Sequence, residues 1–461
     1  MSKFLISVLC SVLLSKYAVA APASSLAASS TVVSEPSTAA SAAAPISTVP
    51  YASNNPNEIT WSPTTDSDPQ PIRGSLGASI LGPNNLPIDR QNPDLLAPPT
   101  TDAGTVGNAK WPMSLSHNRI QTGGWARQQN EAVMPMATAM AAVNMRLEAG
   151  AIRSGLFLPV LDRGYTQVTS MDADGQNYLA TVGPGDLWYF PPGIPHSLQA
   201  TNQSSNGTEF LLVFPDGDFS EDSTFLLTDW LAHVPKEVLA KNFQTNMSAF
   251  DEIPGQELYI FPGAAPDPDA KAVSNPAGQV PSPFTFAFSQ VPATPLAGGS
   301  LKIADSRTFP IATSIAVSQV SVQPGAMREL HWHPTQDEWG YILEGQARVT
   351  LFADSGNART FDFQPGDVSY VPATYGEAFS AENVGLPYGI YLGHYVENIG
   401  NTTLTFLEVY NTNIIQDVSL TQWLALTPAA MVQATLNLPQ SLVDNLNKTK
   451  ATVVAPMTVT N

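Results

Sequence analysis

The sequence predicts an all-β fold of two related β-barrels in tandem, each followed by short terminal helices. Three observations predict it. First, the chain contains an internal repeat: Leu147-Glu148-Ala149-Gly150-Ala151-Ile152-Arg153 parallels Val322-Gln323-Pro324-Gly325-Ala326-Met327-Arg328, and Pro184-Gly185-Asp186 parallels Pro365-Gly366-Asp367. Such self-similarity marks a duplicated structural unit. Second, each copy is made of short runs rich in β-branched and aromatic residues, such as Gln167–Ser170 and Ala347–Phe352, separated by Pro-Gly, Asp-Gly and Gly-Asp turns. Third, each copy closes on a helix-like stretch, near 222–243 and 416–438, where Trp230-Leu231-Ala232 parallels Trp423-Leu424-Ala425.

The chain of 461 residues has room for two or three domains. Residues 1–20 read as a secretory signal: Lys3, an apolar run from Phe4 to Leu14, then Ala18-Val19-Ala20 as a small-residue cleavage site. That run is too short to span a bilayer, and no later segment is long and apolar enough either. The reading is a secreted, extracellular protein without a membrane anchor. Residues 21–108 read as an arm, low in complexity to residue 50 and then rich in Pro, Asn, Asp and Thr. Little in it supplies the apolar surface that folding needs. The expected order is then an N-terminal barrel over 109–253, a linker rich in Pro, Ala and Gly over 254–300, a C-terminal barrel over 301–445 and a tail over 446–461.

Charge and cysteine content narrow the chemistry. The net charge of −19 argues against nucleic acid and against anionic membranes as partners. An anionic substrate therefore needs a local cation, either a metal ion or an arginine. The one cysteine is Cys10, inside the expected signal, so disulfides and thiolate metal sites are excluded from the mature chain. Five Asn-x-Ser/Thr sequons, at Asn202, Asn206, Asn246, Asn401 and Asn447, fit a secreted glycoprotein.

The chemistry is carried by the run Gly325-Ala326-Met327-Arg328-Glu329-Leu330-His331-Trp332-His333, followed by Glu338 and Gly345. On a strand, residues i and i+2 share a face, so His331 and His333 aim into one cavity. Glu338 arrives from the next turn or strand with a hard oxygen. Two or three neutral imidazoles plus a carboxylate, with positions left open, suit Mn, Fe or Zn.

These residues resemble the first motif of the cupin superfamily: glycine, five residues, His-x-His, a short spacer, glutamate, six residues, glycine. The longer match, Met327-Arg328-Glu329-Leu330-His331-Trp332-His333, is similar to the two-domain cupins called oxalate decarboxylases. The resemblance makes the two domains cupin (jelly-roll β-barrel) domains. It implies decarboxylation of the small dicarboxylate oxalate to formate and carbon dioxide at manganese, with dioxygen as a further requirement. Two other readings stay open beside it: an oxalate oxidase giving carbon dioxide and hydrogen peroxide, and a non-catalytic storage-type or metal-binding bicupin. Bicupins of this kind are often homo-oligomers.

Two breaks interrupt the repeat. Gly150 to Pro184 spans 34 residues, whereas Gly325 to Pro365 spans 40. Copy one is short where the ligands belong: 154–163 contains neither histidine nor glutamate. Its second motif is intact and ends in His196, either a residual metal ligand or a hydrogen-bonded interior histidine. In copy two the position matching His196 is Glu377, and a histidine comes 17 residues later as His394. Removing 377–393 restores the family spacing. That segment reads as an insertion, either a translated intron or a genuine loop, and the defect at 154–163 is a mis-joined exon or a real loss.

The resemblance then implies a complete metal site of His331, His333, Glu338 and His394, and an incomplete one in copy one with His196. It implies that Arg328, and Arg153 by repeat, reach the substrate carboxylate. Three residues before His331, Arg328 falls on the opposite face of a regular strand. Glu408, 14 residues after His394, matches the family's interior glutamate. Glu221, in Ser220-Glu221-Asp222-Ser223, matches the lid of the first barrel, with Asp222 replacing an asparagine. Either glutamate is a candidate proton donor.

Overall fold

The computed structural model describes residues 67–154, 158–223, 225–255, 259–353, 356–373 and 392–457. The expected signal, the arm as far as residue 66 and residues 377–391 of the expected insertion lie outside the described residues. All described residues belong to one compact unit.

Four sheets build two barrels. In the first, a seven-stranded sheet runs in the order Thr285–Phe286, Leu187–Trp188, Leu158–Arg163, Thr208–Phe214, Ala141–Leu147, Gly124–Gln129, Arg119–Gln121. It faces a five-stranded sheet of Asn177–Val182, Thr166–Met171, His196–Ala200, Ile152–Ser154 and Ile260–Phe261. In the second barrel the large sheet runs Thr294–Leu296, Gly299–Ala304, Ala316–Val322, Leu404–Tyr410, Glu338–Glu344, Asp367–Val371, Lys110–Pro112. Its partner sheet contains Ala358–Phe363, Ala347–Phe352, Gly393–Asn398, Met327–Trp332 and Val418–Ser419, and Val453–Val454 also pairs with Met327–Trp332. The fold is the all-β, two-cupin architecture that the repeat and the resemblance predict.

Alternation along the two central strands explains how the barrels share a core. In Thr208–Phe214, residues Phe210, Leu212 and Phe214 fill the first barrel, while Leu211 and Val213 point into a cluster common to both barrels. In Leu404–Tyr410, Leu404 and Phe406 fill the second barrel, while Leu407 and Val409 enter the same common cluster. Both strands are buried on both faces and therefore read as nearly continuous apolar runs. At the centre of the shared layer, Trp339 Nε1 donates to Gln129 Oε1 of the other barrel at 2.8 Å, with both residues fully buried.

The connecting segments are more structured than composition predicts. The stretch read as an arm holds helices Leu86–Gln91 and Pro93–Leu96 and pairs Ala103 with Ala358 of the second barrel. Lys110–Pro112, at the start of the expected first domain, completes the sheet of the second barrel through Asp367–Val371. Within 254–300, Ile260–Phe261 and Thr285–Phe286 pair into the first barrel, and Thr294–Leu296 pairs into the second. Helices Leu227–Ala232, Lys236–Phe243, Leu420–Leu426 and Ala429–Leu436 follow the two barrels. Gly325 shows why the motif opens on glycine: it turns into the ligand strand at φ +72°, a conformation that side chains disfavour.

Candidate metal centre

In the second barrel, His331, His333, Glu338 and His394 are all buried, and their ligand atoms lie within 4.8 Å of one another. They come from three strands. His331 is on Met327–Trp332 and His333 just beyond its end, Glu338 opens Glu338–Glu344, and His394 is the second residue of Gly393–Asn398. The ladder makes their meeting possible, because His331 pairs with His394 and Glu338 pairs with Tyr410. The fourth member is thus the displaced histidine, downstream of 377–391.

Every imidazole is oriented through Nδ1. His331 Nδ1 bonds the Glu329 carbonyl at 2.7 Å, His333 Nδ1 the Gln416 carbonyl at 2.9 Å, and His394 Nδ1 the Leu392 carbonyl at 3.1 Å. A carbonyl only accepts, so Nδ1 carries the proton and Nε2 presents a lone pair to the centre. The Nε2 atoms of His331 and His394 are buried without a hydrogen-bond partner. His333 Nε2 lies 2.9 Å and His394 Nε2 3.4 Å from Glu338 Oε2. Burial pushes the His331 pKa far down, and Arg328 adds to it, so this ring is neutral. Burial would raise Glu338, but the adjacent His333 and His394 imidazoles outweigh it and hold its carboxyl well below the usual range. Imidazole nitrogens turned inward around an ionised carboxylate, two of them without a hydrogen-bond partner, are the donor set that a divalent metal completes.

Arg328 sits beside this group, contrary to its expected place on the opposite face of a regular strand. A bulge between Arg328 and His331 inserts one extra residue and brings both to the interior. Its guanidinium is buried: Nη2 donates to Asp417 Oδ2 at 2.5 Å, and Nε lies 3.5 Å from Glu408 Oε1. Nε and Nη1 have no hydrogen-bond partner. Glu408 is not a strand-end charge. It stands mid-strand at 1% exposure, with Oε2 accepting from Ser318 Oγ at 2.5 Å and from Tyr410 Oη at 2.6 Å. Oε1 is left facing the interior. Burial and the Glu408 charge raise the Tyr410 pKa well above its usual value, so this phenol keeps its proton. Ser318, Tyr410, Asp417 and Gln416 were not predicted. Tyr410 was findable, since i+2 from Glu408 on a strand means the same face.

The first barrel brings Arg153, His196 and Glu221 together without an equivalent ligand group among the described residues. His196 stacks on Phe190 with centroids 4.1 Å apart, and its Nδ1 bonds the Ile194 carbonyl at 3.0 Å. Burial, with Arg153 nearby, pulls its pKa down to about 3. Glu221 opens the short turn Glu221–Ser223 and is buried, not a helix cap, and Tyr259 Oη donates to its Oε2 at 3.1 Å. Burial raises its pKa against the pull of Arg153.

The ladders locate the six missing residues. Leu158 pairs with Val213 as Trp339 pairs with Val409. Arg153 and Leu158 are separated by four residues, whereas Arg328 and Trp339 are separated by ten, and those ten carry His331, His333 and Glu338. The interior has changed as well. Val143 pairs with Leu212 and Ala141 with Phe214, where the second barrel has Ser318 with Glu408 and Ala316 with Tyr410. The polar pair of the second chamber is apolar in the first.

A family profile described as Cupin matches residues 160–249 and 287–385. The chain is 47% identical over 395 residues to the oxalate decarboxylase of Bacillus subtilis (strain 168), covering 84% of this chain and 97% of that protein. It is 38% identical over 399 residues to a probable oxalate decarboxylase of Arthroderma benhamiae, covering 84% and 93%. Among solved structures, one of Bacillus subtilis oxalate decarboxylase, concerned with its Mn(II) centres, superposes with a TM-score of 0.77 at 46% identity, covering 84% of this chain and 100% of that one. The same enzyme at pH 4.6 gives 0.77 at 46%, covering 85% and 98%.

Proposed function

Since the chain belongs to the oxalate decarboxylase family of bicupins, we propose that its second barrel is a manganese centre that converts oxalate to formate and carbon dioxide. The observation that carries this reading is the buried group His331, His333, Glu338 and His394 beside Arg328 and Glu408. The residues fit the metal: three Nε2 atoms are aimed by backbone carbonyls at one ionised carboxylate. Bound there, manganese supplies a Lewis-acidic, redox-capable centre that draws electron density from the dianion.

The surrounding residues define the rest. The unpartnered Nη1 of Arg328 donates to a substrate carboxylate and offsets its charge in a chain of net charge −19. Ser318 and Tyr410 lock Glu408 Oε2, which leaves Oε1 as the atom that exchanges a proton with the substrate. Hydrogen oxalate then loses its C–C bond, one carbon leaves as carbon dioxide, and Glu408 returns the proton to the other carbon to give formate. No net oxidation occurs, so the step consumes no dioxygen as oxidant. In the first barrel Arg153 is the repeat counterpart of Arg328, Glu221 is a lid acid beside it, and His196 is the one motif ligand retained. Formate assayed from oxalate at acid pH tests the reading, and hydrogen peroxide in its place would mark an oxidase.

We also infer secretion and glycosylation: all five sequon asparagines are exposed, and no helix among the described residues is long and apolar enough to cross a membrane. The exposed apolar side chains Phe225, Leu227 and Trp230 of the first helical segment and Trp423, Leu426 and Met431 of the second are suited to burial against another copy of the chain. Sedimentation of the intact protein reads that assembly directly.

A further inference from the structure

We propose that Lys450 is a positioning residue for Arg328, acting through Asp417, and that the C-terminal segment 450–454 is part of the second site. The proposal rests on Arg328 contacting the substrate carboxylate, as argued above. The segment lies along the ligand strand. Met327 pairs with Val454 and Arg328 with Val453. Thr452 N donates to Glu329 Oε1 at 3.0 Å, and Glu329 N donates back to the Thr452 carbonyl at 2.9 Å. Glu329 Oε2 accepts from Ser419 Oγ at 2.7 Å, which ties the same carboxylate to the cap of Leu420–Leu426.

Asp417 joins this segment to the guanidinium. Its Oδ2 accepts from Arg328 Nη2 at 2.5 Å, and its Oδ1 is held by the Lys450 ammonium. A carboxylate beside an arginine ordinarily takes two parallel N–H···O bonds. With Oδ1 engaged by Lys450, Asp417 grips Arg328 through one oxygen, and Nη1 is left as a buried donor without a partner. Lys450 therefore keeps Asp417 from occupying the donor that the substrate needs. Once Lys450 is lost, Asp417 rotates onto Arg328 with both oxygens and competes with oxalate for Nη1.

The test uses the full chain loaded with manganese, as wild type, Lys450→Met and Lys450→Arg. Oxalate affinity is read by calorimetry, KM and kcat by formate release, and metal content and melting temperature on the same samples. Lys450→Met is expected to weaken oxalate binding and raise KM by about tenfold, the range of one charge-assisted bond, with smaller effects on kcat, metal content and melting. Lys450→Arg is expected to restore the affinity. Unchanged oxalate affinity in Lys450→Met, or no rescue by Lys450→Arg, overturns the proposal. Binding without formate in the wild type would fail the decarboxylase reading alone, because the affinities still report on Lys450. A wild type that holds manganese but binds no oxalate would overturn both.

Discussion

His331 pairs with His394 across the smaller sheet of the second barrel, although Arg328, three residues earlier on the same strand, pairs with Val396, only two residues from His394. The extra residue is a bulge, and it turns Arg328 onto the face that carries the ligands. Arg328 and His331 therefore share one strand and one face without the even spacing that a regular strand would demand.

One metal site follows from this arrangement. The chain should hold about one manganese ion per molecule, and His331→Ala should abolish it. Removing the ion with a chelator should lower the melting temperature, since a ligand at roughly a thousand times its dissociation constant stabilises by about 4 kcal/mol. Metal analysis beside calorimetry checks both, and two ions per chain would place a second site in the first barrel.

Glu408 is separated from the metal group and can be altered without removing a ligand. Glu408→Gln should keep the manganese and lower kcat by about 10²–10⁴, the usual contribution of a positioned proton donor. Formate release measured on metal-loaded protein decides this. A variant that turns over at the wild-type rate would pass the role to another acid.

Acid should stabilise the attachment of the N-terminal segment. Asp94 is buried on the second barrel, where burial first, and then the neighbouring Asp362 charge, raise its pKa to about 6 from 3.8, against the pull of Lys110. A raised pKa means that the folded chain binds the proton more tightly than the unfolded chain. The resulting stability is fully present below the unfolded value and is lost as pH rises through about 6. Asp94→Asn should therefore flatten the loss between pH 4 and pH 6, where each tenfold difference in proton affinity between folded and unfolded chain is worth about 1.4 kcal/mol. Urea unfolding across that range measures it.

The inter-barrel hydrogen bond supplies a test of the shared core. Gln129→Ala would leave the Trp339 indole N–H buried without a partner. The expected cost is roughly 1–3 kcal/mol, seen as a lower denaturation midpoint. The metal should be retained, because Trp339 follows Glu338 but points to the opposite face.

The parts of the site that were legible in the sequence are those carried by spacing. His331, His333 and Glu338 sit in one contiguous motif, and His394 and Glu408 become visible once the repeat is aligned. Two kinds of feature were not legible. The bulge after Arg328 is a property of the ladder, and nothing in Glu329-Leu330 marks it. Ser318, Asp417 and Lys450 reach the site from a strand, a loop and a tail that only strand register brings together, across 90 residues in the case of Ser318 and Glu408. Composition misled about 67–108 and 254–300, because short strands and helices docked on a barrel need few apolar residues of their own.

The central claim is that the second barrel by itself binds the metal and turns over oxalate. Formate release at acid pH, from this chain shown to hold one manganese ion, tests it most directly when wild type and His331→Ala are assayed side by side. Formate from the wild type and none from the variant is the predicted result. No formate from the metal-loaded wild type, or equal formate from the variant, would contradict it.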